Sequence, residues 1–66
     1  MFWVEMYGPG PDGKHATDVI GSPFETIDAA VVKARKLGKT NTFHWGRAVG
    51  FRVRDARKVV VREGAL

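Results

Sequence analysis

Ile27-Asp28-Ala29-Ala30-Val31-Val32-Lys33-Ala34-Arg35-Lys36-Leu37-Gly38 is the stretch that decides the fold. Ile27, Ala30, Val31, Ala34 and Leu37 recur at i, i+3, i+4 and i+7, so a helix gathers them on one stripe. Just upstream, Ser22-Pro23-Phe24-Glu25 has the form of a helix start: Ser22 can accept the Glu25 amide, Pro23 is pre-set for a first turn, and Glu25 closes a capping box. Thr26 is a competing cap. Gly38 suits the left-handed residue that ends a helix, and Lys36 and Lys39 stand where the negative end of the dipole favours cations. The spacing therefore predicts one helix over about 24–37. Its stripe is narrow and partly alanine, which implies close approach to a sheet. Lys33, Arg35 and Lys36 read as its solvated face, with Val32 almost opposite the apolar stripe.

Strand patterns flank this helix. Phe2, Val4 and Met6 alternate with Trp3, Glu5 and Tyr7, a period of two in strand-favouring residues. Gly8-Pro9-Gly10-Pro11-Asp12-Gly13 cannot continue a ladder, since its prolines lack N–H groups. Lys14 to Ile20 alternates less cleanly and reads as an antiparallel return strand. Beyond the helix, Val49, Phe51 and Val53 alternate with Gly50, Arg52 and Arg54. Asp55-Ala56-Arg57-Lys58 then reads as a tight reversal before Val59-Val60-Val61-Arg62-Glu63. That turn has no glycine, and a one-residue slip decides whether Val59 and Val61 or Val60 joins the core. The expected fold is α+β: a small two-layer ββαββ domain, a mostly antiparallel sheet with the helix on one face, forming a single domain over 1–66.

Charge is distributed unevenly along the chain. Residues 1–32 hold one base against five acids, a net of −4, whereas residues 33–66 hold ten bases against two acids, a net of +8. Such a basic half attracts a polyanion or lies against the acidic half. No cysteine is present, which excludes a disulfide framework or thiolate zinc site and fits a reducing compartment. No apolar run nears the roughly 20 residues of a membrane span, and no leader pattern opens the chain. These features lead us to expect a cytoplasmic protein that does not engage membranes.

Catalytic chemistry finds little support. Gly8 to Lys14 shares the frame of a phosphate-cradling loop, but Pro9 and Pro11 delete amides, and His15 replaces the hydroxyl that would hold magnesium. His15 and His44 are 29 positions apart, with no carboxylate at ligand spacing beside either. No nucleophile lies beside a base. The expectation is a non-enzyme with no cofactor, no metal and no small-molecule substrate.

The basic set is more informative. Arg52 and Arg54 share one strand face, Arg47 precedes them, Arg57 and Lys58 occupy the turn, and Arg62 lies on the following strand. With the helix on the opposite face, these six would form a cationic surface for phosphates. Trp45, in Phe43-His44-Trp45, and Trp3 would stack on bases, with Tyr7 extending the platform. The competing reading makes the charges an ordinary solvated face and Phe43 or Trp45 a cap on the core. Two functions follow: a nucleic-acid-binding module using a basic sheet face, or a protein-interaction or homodimeric module.

Trp3-Val4, Phe24-x-Thr26 leading into Ala30, Ala34 and Leu37, then Gly50-Phe51-Arg52-Val53-Arg54-Asp55 and a valine-rich strand resemble short bacterial domains of unknown function built as strand, helix and hairpin. The likeness covers roughly residues 24–63, with weaker support at 1–7. It implies the same fold and a bacterial or phage-like origin, and it carries no active site. It departs at Arg57-Lys58, where such hairpins commonly carry glycine.

Overall fold

A computed structural model describes residues 1–8, 16–18 and 23–66, without the side chains of Thr17 and Asp18. The readings made for Pro9 to His15, for Val19 and Ile20 and for the Ser22 cap lie outside these residues. Strand β1, Trp3–Tyr7, supplies the alternation the sequence implies: Val4 and Met6 are fully buried. Strand β3, Gly50–Arg54, runs antiparallel to it, with Val4 opposite Val53 and Met6 opposite Phe51. These four residues are the largest fully buried side chains and form the core floor. Helix α1, Ile27–Thr40, packs on β1 and β3 through Ala30 and Ala34, whose small side chains let the backbone come close. Strand β2, Ala16–Asp18, pairs antiparallel with β1, and strand β4, Val60–Ala65, pairs antiparallel with β3. The sheet order is β2-β1-β3-β4, which gives a two-layer ββαββ α+β fold with one helix on one face. Among the described residues no helix is long and apolar enough to cross a membrane.

The helix starts later than its sequence pattern suggests. Phe24 exchanges two backbone bonds with Phe2, at 2.8 and 2.7 Å, and is held extended as a bridge beside the sheet. It therefore cannot open a helix. Thr26 is the cap instead, its Oγ1 accepting the Ala29 amide at 3.1 Å. The far end also differs, because α1 runs through Gly38 to Thr40 and the Asn41 amide bonds the Leu37 carbonyl. Gly38 serves close packing: a Cβ there would stand 2.6 Å from Leu66 Cδ1. Val32 is 68% exposed, as its position opposite the stripe requires.

The valine run settles differently from either register considered. Val59, Val60 and Val61 are 54, 38 and 37% exposed, so none joins the core. A β-bulge lets Arg54 pair with Val60 and Val53 with Arg62, leaving Val61 as the extra residue. The core-side positions of β4 thus fall to Arg62 and Gly64. A Cβ on Gly64 would stand 3.0 Å from the Phe51 ring, so the missing side chain makes room for that ring. Arg35 covers it from the helix, its guanidinium 5.3 Å from the ring centroid and its Nη1 donating to the Ala65 carbonyl at 3.4 Å. It stays on the exposed face, as its position in the helix implies, while also covering this edge of the core. The alternation before β3 also fails at one position: Val49 is 45% exposed and Ala48 is buried in its stead, near the helix end.

The reversal at Asp55–Lys58 forms without glycine. One Asp55 carboxylate oxygen accepts the amides of Arg57 at 2.8 Å and Val59 at 3.0 Å, and the Lys58 amide bonds the Asp55 carbonyl. Lys58 itself adopts φ 66°, the left-handed conformation that glycine takes most easily.

Candidate nucleic-acid interface

The face of the sheet away from α1 is built by the other half of each alternation. Because β1 and β3 are antiparallel with Glu5 opposite Arg52, residues Trp3, Glu5 and Tyr7 share this face with Arg52 and Arg54. Glu5 Oε1 accepts from Arg52 Nη1 at 3.1 Å and from Arg54 Nη2 at 3.4 Å. One carboxylate therefore holds two guanidinium groups and cancels part of their charge. Ion pairs this exposed contribute about 1 kcal/mol or less each, so their effect is mainly to set direction. Arg54 Nη1 also donates to the Lys58 carbonyl at 3.2 Å, tying the strand to the turn.

Tyr7 lies across the sheet. A Cβ on Gly50 would overlap its phenol oxygen, so the absent side chain opposite is what lets the ring lie down. The Arg52 guanidinium then sits over that ring, 4.1 Å from the centroid. At the other end of the face, Trp3 is 38% exposed. It borders an open cavity of about 360 Å³ lined by Trp3, Glu5, Arg54, Asp55, Ala56 and Lys58.

The eight residues picked from the sequence divide among separate places. Trp3, Arg52 and Arg54 come together on the open face, with Arg57 and Lys58 exposed on the adjoining turn. Arg62 leaves the set: the bulge puts it opposite Val53, on the helix side. Arg47 leaves it too, because its Nη2 donates to the Lys39 carbonyl at 3.2 Å near the end of α1. Trp45 stacks on Phe43 with centroids 5.0 Å apart and planes 11° from parallel, and both rings pack against the core. Phe43 and Gly46 exchange backbone bonds at 2.9 Å, with Gly46 at φ 118°, so this segment is a tight turn that folds Trp45 inward. The spacing Phe43-x-x-Gly46 was the available signal. Glu5 was the other, since strand parity alone places it between two arginines.

No protein-family model, curated protein or solved structure matches the chain.

Proposed function

We propose that this chain is a small non-enzymatic module that binds single-stranded nucleic acid on the face of its sheet away from α1. The observation that carries the reading is a guanidinium laid on an aromatic ring, Arg52 on Tyr7 at 4.1 Å, on the same open face as the exposed Trp3. Flat rings and guanidinium planes accept unpaired bases by stacking, which suits a strand whose bases can splay out. Trp3 takes one base over the cavity and the outer side of Arg52 takes another. Arg54, Arg57 and Lys58 then face the phosphates. Glu5 keeps the two arginines in place and lowers the charge count below that of the full basic set.

Replacing Trp45 with Phe leaves Trp3 as the only tryptophan, a reporter on the proposed surface. Short single-stranded DNA or RNA should quench it, while duplex of the same length should act far more weakly. Three neutralised phosphates predict that log K falls with log salt at a slope of about −2. Unchanged emission at low salt, or affinity indifferent to salt, would defeat the reading. A protein-interaction or homodimeric role is the second reading, favoured by the exposed valines at the β4 edge. Sedimentation showing a monomer at high protein concentration and low salt would remove the homodimeric version of it.

A further inference from the structure

A second cavity, about 400 Å³, lies at the other end of the sheet from Trp3, lined by Arg35, Gly38, Lys39, Arg47, Ala48 and Leu66. We infer that this cavity binds a phosphate monoester, with Arg35, Lys39 and Arg47 holding the phosphate and Ala48 and Leu66 meeting a small apolar substituent. Three cations converge there against the α-carboxylate of Leu66, which leaves two positive charges in excess, and no Asp or Glu side chain among the described residues lines the space. The described acids lie elsewhere. Glu25 precedes the start of α1, and Asp28 is eleven residues before Lys39 on the same helix, about 16 Å along the axis at the usual rise. Asp55 is seven residues beyond Ala48, about 23 Å for extended chain. Glu5 and Glu63 sit on the opposite face, at the register positions of Arg52. At physiological salt the screening length is about 8 Å, so Glu25, Asp28 and Asp55 do little to offset the excess positive charge. The C-terminal dipole of α1 opposes an anion, but it amounts to only about half a charge.

Two of the cations are already positioned. Arg35 is pinned by the Phe51 ring and the Ala65 carbonyl, and Arg47 by the Lys39 carbonyl. Each such bond uses one of a guanidinium's five N–H groups and leaves the others for phosphate oxygens. Lys39 is exposed and can swing onto the ligand. The cavity size falls in the range of small-molecule sites, larger than a bare phosphate requires.

Amide-resolved NMR titration of the full chain with inorganic phosphate, phenyl phosphate and phenol tests this. The expected result is saturable shifts centred on Gly38, Lys39, Ala48 and Leu66 with both phosphates, tighter for phenyl phosphate, and none with phenol. Lys39→Ala should weaken binding roughly thirtyfold, the effect of removing one exposed charge at about 4 Å from a dianion in water, with the rest of the spectrum unchanged. Replacing Arg52 and Arg54 with Ala should leave phosphate binding intact while abolishing that of single strands, so the two sites succeed or fail separately. Non-saturating shifts, insensitivity to Lys39→Ala, or shifts centred on Arg52 and Arg54 would overturn the inference. Equal affinity for the two phosphates would remove the apolar subsite.

Discussion

β1 and β4 both flank the sheet's β3, both pair with it antiparallel, and both are rich in strand-forming residues, yet only β1 contributes to the core. Val4 and Met6 are fully buried, whereas the three consecutive valines Val59, Val60 and Val61 that lead into β4 stay exposed. Hydropathy would rank them the other way. The difference is set by register under α1: the helix rests on β1 and β3, Val4 and Met6 face it, and the bulge turns Val60 to the far face opposite Arg54 while giving the helix-side positions of β4 to Arg62 and Gly64. Burial in so small a domain is therefore a matter of position under the helix more than of side-chain type.

The sharpest test of that comparison is to remove matching groups from each side. Phe51→Ala should cost about 3–5 kcal/mol, comparable to the whole stability of a domain this size, and leave a chain unfolded or nearly so in urea titration. Gly50→Ala should come next, at about 1–3 kcal/mol, because the added methyl must displace the Tyr7 ring. Combining it with Tyr7→Ala should recover much of the loss, and additivity of the two changes would show that the ring does not lie where we place it. Lys58→Gly should raise stability by about 1 kcal/mol by relieving the left-handed backbone, moving the denaturation midpoint upward. Val61→Thr should be nearly silent, within about 0.5 kcal/mol, and a larger loss would mean that β4 is covered in solution.

Much of the fold was legible because its signals are periodic. The stripe from Ile27 to Leu37 and the alternations of Val4 with Met6 and Phe51 with Val53 each emerge on the face the spacing assigns. What escaped was non-periodic. Pro23 and Glu25 make a persuasive helix start, but the Phe2–Phe24 bridge is a contact between residues 22 positions apart, and it outcompetes a local capping pattern. The bulge that swings Arg62 to the helix side leaves no mark in Val59-Val60-Val61, where any residue could have been the extra one. Gly38 looked like a stop signal, since a glycine that ends a helix and one that admits a neighbouring leucine read alike. The site was legible to the same extent: strand parity gathers Trp3, Arg52 and Arg54, whereas Arg47 and Trp45 were diverted by a carbonyl and a ring that only the folded chain brings near.

The central place of β1 has a consequence for how the chain is made. It precedes the other described strands in the chain, and its core partners come late: Val53 follows Val4 by 49 positions, and Phe51 follows Met6 by 45. Closing loops of that length precedes any reward from the contacts they bring, which slows folding. During synthesis Phe2, Val4 and Met6 leave the ribosome well before their cover exists. The sheet can be completed only after β3 has emerged, so a pause or truncation upstream of Gly50 strands an apolar segment with no partner.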